Sequence, residues 1–514
     1  MSTPIDATGA SSASVTDRGF FGHPRGLSTL FFTEMWERFS YYGMRAILTL
    51  YMTKTLAEGG LAFDEKYAAL IYATYVSSVW YLPLIGGCLA DKVLGARRAV
   101  LIGGIIIACG HYSMAINTRL NFYAGLILIA SGTGLLKPNI SAMVGQLYKQ
   151  GDERRDAGFS IFYMGINLGA FLSPIVVGFL AQAQWFRHFI SSIGFDPNSA
   201  WHWGFGAAGV GMTLGLIQYV VGGSRLKSVG GTPEKQADIA SARLSGSFDY
   251  LTVGLAILGS AIGTALGYYF GDAGFVSALF PGVVGFFSGY LAGTTRFLMG
   301  DELKRVIVIF ILFVFSILFW MTYEQAGSSL TLFADRMTKT TVFGWQYPSS
   351  WFQSVPAIFV IIFAPIFAAL WQKMGDRQPS SPGKFIYGLF FAGIAFVVVT
   401  IASMLAASGR VSPLWLIAVY LIQTFGELCL SPVGLSTVTK LSPARMVGLM
   451  MGVWFLSISV GSYIAGLTTR LFEGNDNAVL TRGFATFAGI TLFATLVLAV
   501  LTPFIKKLIP REVS

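Results

Sequence analysis

The chain has 514 residues, of which 54% are hydrophobic, 15% aromatic and only 12% charged. Soluble domains carry about 25% charged residues, so this composition excludes an ordinary soluble protein and predicts one that crosses a membrane many times. The formal net charge is +10; because the basic residues of membrane proteins collect in cytoplasmic loops, this charge predicts no nucleic-acid partner.

Apolar runs long enough to span a bilayer, about 20 residues each, recur along the chain. Residues 1–25 contain no such run and predict a disordered cytoplasmic tail. Residues 26–222 then predict a bundle of six spans: 27–51, 67–90, 98–117, 121–145, 158–182 and 201–222. Residues 223–300 predict a cytoplasmic linker and two extra helices, near 248–270 and 274–298.

The C-terminal part repeats the pattern of six. Residues 301–506 predict a second bundle, followed by a cytoplasmic tail at 507–514; its spans are 303–325, 348–372, 384–406, 412–437, 445–468 and 483–504. Leu136-Lys137-Pro138 in the fourth span is similar to Leu430-Ser431-Pro432 in the tenth. The fold class is therefore all-α with 14 spans, and two parallel repeats of this kind predict a substrate site near the middle of the membrane.

The orientation follows from the lysines and arginines. With the N-terminus inside, the predicted inner segments hold 23 of the 35 and the outer segments hold 9. This excess obeys the positive-inside rule and predicts that both termini are cytoplasmic. The remaining three basic residues, Arg38, Arg45 and Lys137, fall within spans, as do four acidic residues: Glu34, Glu37, Glu324 and Glu427.

The first span is unusual because Glu34, Glu37, Arg38 and Arg45 lie within twelve residues of it. Their helical spacing puts them on one face, together with Tyr41 and Tyr42. A charge at the bilayer centre costs about 3 kcal/mol or more, so such side chains normally face a partner or a water-filled cavity.

A helix rises about 1.5 Å per residue, so positions along the spans give approximate depths. By this measure Lys137 meets Glu34 and Glu37, while Arg45 meets Glu324 nearer the outer face. Glu427 has no basic neighbour at its depth and is predicted to receive a cation from outside the protein. A carboxylate whose basic partner can leave is able to take up and release a proton. The alternative is that some of these residues form static ion pairs between helices.

Five aromatic residues near these depths are candidates for lining a substrate pocket, although ordinary packing within the spans is the alternative for each: Tyr41, Tyr42, Tyr163, Trp320 and Trp454. The four histidines and three cysteines show no metal-ligand spacing. No HExxH, GxSxG or Walker-type sequence is present, so we expect no enzyme, no metal site and no ATP-driven pump.

The first span contains Glu34-Met-Trp-Glu37-Arg38-Phe39, and the fifth contains the segment 162–169 (FYMGINLG). The first resembles the ExxERF signature and the second the FYxxINxG signature of the proton-dependent oligopeptide transporters of the major facilitator superfamily. The resemblance is to the bacterial members with two extra helices in particular. Shorter matches surround Lys137, Glu324, Gln353 and Glu427, so that the likeness runs from about residue 26 to 506.

The resemblance implies uptake of di- and tripeptides by symport with protons through the bacterial inner membrane, without a cofactor, by a monomer. It implies that Glu34, Glu37, Arg38 and Lys137 couple transport to protons. Arg45 and Lys137 would attract the peptide carboxylate, Glu427 its amino group, and Arg45 with Glu324 would form an outer gate. The implied pocket is completed by a further set: Tyr41, Tyr42, Trp80, Tyr163, Asn167, Trp320, Ser431 and Trp454.

Two departures from the family pattern bear on the substrate. Val355-Pro356-Ala357 stands where Asn-Pro is usual, and Trp80 stands where many members have a pocket tyrosine. Both changes make the pocket less polar and predict weaker or altered selectivity with proton coupling kept. The alternatives are a family member that moves another small solute, such as nitrate or an amino acid derivative, and a ligand sensor that transports nothing.

Overall fold

The computed structural model describes residues 19–149, 152, 154–227, 229–231, 249–270, 275–443, 446–472 and 477–509. The predicted tails fall largely outside these residues, as does most of the polar part of the predicted linker. The predicted domain boundaries stay predictions.

The described residues contain fourteen α-helices of 19 or more residues, in agreement with the predicted all-α class. The first six are α1 (Arg25–Thr53), α2 (Glu65–Leu89), α3 (Ala96–Met114), α4 (Arg119–Gln146), α5 (Arg154–Gln182) and α7 (Ala200–Val221). The two extra helices are α8 (Tyr250–Phe270) and α9 (Phe275–Thr295). The last six are α10 (Gly300–Tyr323), α12 (Val355–Met374), α13 (Ser381–Leu405), α14 (Leu414–Leu441), α15 (Val447–Leu467) and α16 (Asn477–Leu508).

Eleven helices of the described chain are long and apolar enough to cross a membrane. An α-helix satisfies its backbone hydrogen bonds internally, which is what a segment in hydrocarbon requires. The chain is therefore a multi-pass membrane protein. Its short elements were not predicted from the sequence: α6 (Gln184–Ser192), α11 (Ser329–Met337) and a hairpin of β1 (Thr341–Val342) with β2 (Trp345–Gln346).

The seventh and eighth predicted spans differ from the observed helices. The seventh was predicted to continue to residue 325, but α10 ends at Tyr323 and a 3₁₀ turn follows at Glu324–Gly327. The eighth begins with a 3₁₀ turn at Ser349–Ser354, after which Pro356 occupies the first turn of α12. Proline suits that position because the first amides of a helix have no intrahelical partner.

The described residues form two compact units. Unit 1 comprises those within 1–42, 82–173 and 206–242, and unit 2 comprises those within 43–81, 174–205 and 243–514. Helix α1 passes from unit 1 to unit 2 after Tyr42.

Close helix contacts in unit 1 depend on glycine. A Cβ on Gly169 of α5 would lie 2.3 Å from the Met35 carbonyl oxygen of α1, and one on Gly165 would lie 2.9 Å from the Phe31 ring. Only a residue without a side chain allows this approach, as is common between membrane helices. The FYMGINLG segment thus holds α5 directly against the charged part of α1.

In unit 2, α2 and α15 are joined by two reciprocal hydrogen bonds. The Ser77 hydroxyl donates to the Ser459 carbonyl at 2.9 Å, and the Ser459 hydroxyl donates to the Ser77 carbonyl at 2.8 Å. Helix α9 packs beside them, since the Phe280 and Tyr463 rings are 4.4 Å apart. One of the two extra helices therefore contacts α15.

Candidate functional site

The charged group on α1 in unit 1 consists of Glu34, Glu37 and Arg38, which we call the triad. All three are buried, with exposed fractions of 2%, 0% and 4%. Arg38 Nε donates to Glu34 Oε1 at 2.7 Å and lies 2.8 Å from Glu37 Oε2. Glu34 Oε2 and both oxygens of Glu37 accept no hydrogen bond within the described residues. Buried carboxylates usually have such bonds, so the triad has acceptor capacity to spare.

Lys137 of α4, also in unit 1, interacts electrostatically with Glu37. The four residues predicted to couple transport to protons therefore lie close enough to affect one another. With every group ionised the set is neutral, so protonation of either glutamate leaves a net positive charge among Arg38 and Lys137. This electrostatic link is what a proton-dependent exchange of partners needs.

The remaining predicted site residues of unit 1 differ in their contacts. The Arg38 guanidinium lies 5.8 Å from the centre of the Tyr41 ring, which meets Tyr42 edge to face at 5.1 Å. Tyr163 is 44% exposed, whereas the Asn167 amide is turned to its own helix and donates to the Tyr163 carbonyl at 3.0 Å.

Arg45 and Glu324 form a tight buried pair in unit 2. The Arg45 Nη2 atom donates to Glu324 Oε2 at 2.5 Å, and Nε donates to the Tyr72 hydroxyl at 2.5 Å. The break after α10 makes this possible, since Glu324 begins the 3₁₀ turn and Thr49 donates to the carbonyl of Gly327 at 2.7 Å. Sequence reasoning missed Tyr72, because a tyrosine inside an apolar span carries no distinguishing pattern.

Glu427 of α14 has a partner that the sequence did not reveal. The Tyr323 hydroxyl donates to Glu427 Oε2 at 2.6 Å within unit 2. Tyr323 directly precedes Glu324, so the end of α10 positions the carboxylate of Glu324 through the chain and that of Glu427 through the Tyr323 hydroxyl. Hydrogen bonds to ionised acceptors are shorter and stronger than neutral ones. The carboxylate predicted to await a cation is therefore already oriented.

Aromatic side chains cluster near Tyr323 and Glu427 in unit 2. Trp80 lies 6.5 Å from Trp320 and stacks on Phe455 at 6.2 Å. The indole N–H of Trp320 and the hydroxyl of Ser431 are buried and have no hydrogen-bond partner within the described residues. Both are positions where a polar ligand would gain a bond.

Trp454 lies deeper than the prediction for a pocket residue implies. It is 3% exposed, packs on Phe385 at 5.9 Å, and fills the space beside Gly434. These contacts place its ring in the hydrophobic core of unit 2. No group of three or more metal-ligating side chains occurs in the described part of the chain.

The POT family model matches residues 97–485. The chain belongs to the POT family. This POT chain is 41% identical over 496 residues to the "Uncharacterized transporter YclF" of Bacillus subtilis (strain 168), covering 96% of each. It is 37% identical over 473 residues to the "Di-/tripeptide transporter" of Lactococcus lactis subsp. cremoris, covering 89% of this chain and 91% of the relative.

Solved POT structures agree with this assignment. A crystal structure of a mutant of "peptide transporter POT" with alafosfalin aligns with a TM-score of 0.78 at 40% identity, covering 96% of this chain and 98% of the other. A POT family transporter in complex with 5-aminolevulinic acid aligns at 0.80 and 33% identity, covering 96% and 99%. The family and its structural neighbours are transporters, and the fold of this POT chain is the predicted major facilitator fold.

Proposed function

We propose that this POT family member is a symporter that imports di- and tripeptides together with protons by alternating access. The observation that carries the proposal is the triad: two carboxylates on one turn of α1 share one guanidinium, and three of their oxygens accept no hydrogen bond in the described residues. Its peptide-transporting relatives supply the substrate class.

The proton would bind at Glu34 or Glu37. Loss of a negative charge there weakens the hold on Arg38 and frees Lys137 to take another anion. The peptide carboxylate is that anion, with Arg45 as a second candidate for it. Because Arg45 is paired with Glu324 in this structure, peptide binding at Arg45 would compete with Glu324 and open the pair. Glu427, oriented by Tyr323, would hold the peptide amino group.

The proposal includes the predicted setting: a monomer in the bacterial inner membrane with both termini cytoplasmic, powered by the proton gradient without a cofactor. The inner excess of lysine and arginine supports the orientation of the termini. A second candidate function within the family is transport of another small solute. The relative with bound 5-aminolevulinic acid, an amino acid derivative, favours keeping it.

The deciding experiment is uptake of alanyl-alanine into proteoliposomes under an imposed pH gradient, acidic outside. Wild type should accumulate the peptide, and dissipating the gradient with an ionophore should abolish accumulation. Uptake of nitrate or 5-aminolevulinic acid in place of the peptide would transfer the proposal to the second candidate. Ligand binding without any flux would support the sensor instead.

The two departures from the family pattern give a test of selectivity. Restoring the usual residues in Pro356→Asn/Trp80→Tyr adds polar groups to the pocket. A net hydrogen bond is worth about 0.5–1.5 kcal/mol, so di-alanine affinity should rise roughly 2- to 13-fold. Measured by competition with a labelled peptide, an unchanged affinity would contradict the idea that these departures weaken peptide binding.

A further inference from the structure

A cavity of about 620 Å³ lies within unit 2, apart from Glu427 and Ser431. It is lined by the C-terminal ends of α12, α14 and α16 and by the start of α13. Its size falls in the range of small-molecule sites. On α14, Leu428, Pro432, Ser436 and Lys440 face it at four-residue intervals, so it uses a different side of this helix from Glu427 and Ser431.

Three lysines line this cavity: Lys384, Lys440 and Lys506. No aspartate or glutamate is among the described residues that line it. Lys384 and Lys440 are near enough for their charges to interact. The cavity is therefore a concentration of positive charge without a neutralising carboxylate of its own.

The Lys384 side chain is held in place by uncharged groups. Its Nζ donates to Gln378 Oε1 at 2.8 Å and lies 4.6 Å from the centre of the Trp371 ring. An ammonium group has three donors, so a lysine held by one amide and one ring has hydrogen-bonding capacity left. Ser381, Ser436 and Thr437 add hydroxyl groups around it.

We propose that this cavity binds a phosphate group, carried by an anionic membrane lipid or by a soluble phosphate. Three ammonium groups with nearby hydroxyls suit the charge and the acceptor oxygens of phosphate. Under the proposed orientation this end of the bundle faces the cytoplasm, where anionic headgroups attract basic pockets between helices.

The surroundings favour the lipid as the source. Helix α12 lies within the apolar segment Ser349–Met374. Of the most apolar 18 residues in this segment, only 17% are buried inside the protein. Ile358, Ile362, Ile366 and Leu370 expose an apolar ladder along α12, each 36–53% exposed. A headgroup in the cavity can thus extend its acyl chains along an apolar surface.

The test compares thermal unfolding of the detergent-solubilised protein with cardiolipin, phosphatidylglycerol, phosphatidylcholine or inorganic phosphate added, at constant ionic strength. We expect the two anionic lipids to raise the melting temperature and the zwitterionic one to leave it unchanged. Lys440→Gln/Lys506→Gln should lose most of this rise. Lys507→Gln, the matched control, removes the adjacent charge that does not line the cavity and should keep it.

Native mass spectrometry of the same samples should show one cardiolipin retained by wild type and by Lys507→Gln but released by the double variant. Alanyl-alanine uptake by the double variant confirms that it is folded. If inorganic phosphate alone reproduces the stabilisation, the phosphate site holds with a soluble source. No stabilisation by any of these probes, or an equal response in the double variant, would overturn the proposal.

Discussion

Helix α1 carries two buried charged groups that are satisfied in opposite ways. In the triad, two carboxylates share the guanidinium of Arg38, and three carboxylate oxygens accept no hydrogen bond within the described residues. In the pair of Arg45 and Glu324, the guanidinium of Arg45 donates to the single carboxylate of Glu324 and also to the hydroxyl of Tyr72. A closed pair is suited to holding helices together, whereas a group with spare acceptors is suited to taking up a proton.

The largest expected effect comes from removing one of the two carboxylates of the triad that can take up a proton. Glu37→Gln should reduce pH-driven accumulation of alanyl-alanine to the background of empty liposomes, because the remaining carboxylate stays paired with Arg38. Exchange of peptide across the membrane without a gradient should persist. The control is Glu58→Gln, a change at a carboxylate that is 48% exposed. Normal accumulation in Glu37→Gln would remove the proposed difference between the triad and the pair.

The second effect concerns the pair. Leaving one partner of a buried ion pair alone costs about 3–5 kcal/mol, so Arg45→Gln and Glu324→Gln should each lower the melting temperature markedly. The double variant Arg45→Gln/Glu324→Gln leaves no lone charge and should recover most of the loss. A double variant whose loss is the sum of the two single losses would show that the pair contributes no coupling.

The sequence predicts which residues share one helix face or one depth in the membrane, but it does not predict contacts that depend on how separate helices are rotated. Regular helix geometry places Glu34, Glu37 and Arg38 on one face, and counting rises along two spans brings Lys137 and Glu37 to one depth. Tyr72 and Tyr323 could not be predicted, because their roles depend on how α2 and α14 are rotated and on the break after α10. Trp454 and Asn167 show the same limit, since a residue's depth does not determine which way its side chain points.

A smaller effect tests whether Glu427 behaves more like the pair or like the triad. Tyr323→Phe removes its phenol donor; a hydrogen bond to a charged group is worth about 1.5–3 kcal/mol, so the KM for alanyl-alanine should rise roughly 10-fold or more. The maximal rate should change little. Tyr387→Phe, at a tyrosine that is 47% exposed, is the control. An unchanged KM would mean that Glu427 needs no orienting group.

The smallest expected effect tests whether the loss of stability of unit 1 at acid pH comes from a group other than the triad. His23, outside the spans, contacts the Tyr148 hydroxyl at 2.9 Å. Burial and then Arg154 lower the pKa of His23, while Asp152 opposes them. The unfolded chain therefore binds the proton more tightly, so the stability contributed by His23 is complete above about pH 6.5 and falls as the pH drops below it.

The melting temperature of His23→Gln should therefore be nearly the same at pH 7.5 and pH 5.5, whereas that of wild type should fall by a few degrees. Uptake under a pH gradient should be retained in the variant. Thermal unfolding across this range measures the difference. An identical loss in both proteins would assign the acid sensitivity to other groups, the triad included.

The reciprocal hydrogen bonds of Ser77 and Ser459 bear on how easily α2 and α15 can separate. A serine hydroxyl can turn to a carbonyl of its own helix, as Ser78 does with Tyr75 at 2.6 Å. Ser77 and Ser459 would thus exchange one acceptor for another and leave no bare donor in hydrocarbon. The backbone carbonyls they release are already bonded within their helices. Separating α2 from α15 at this contact therefore costs little hydrogen-bond energy, because each serine keeps an acceptor throughout.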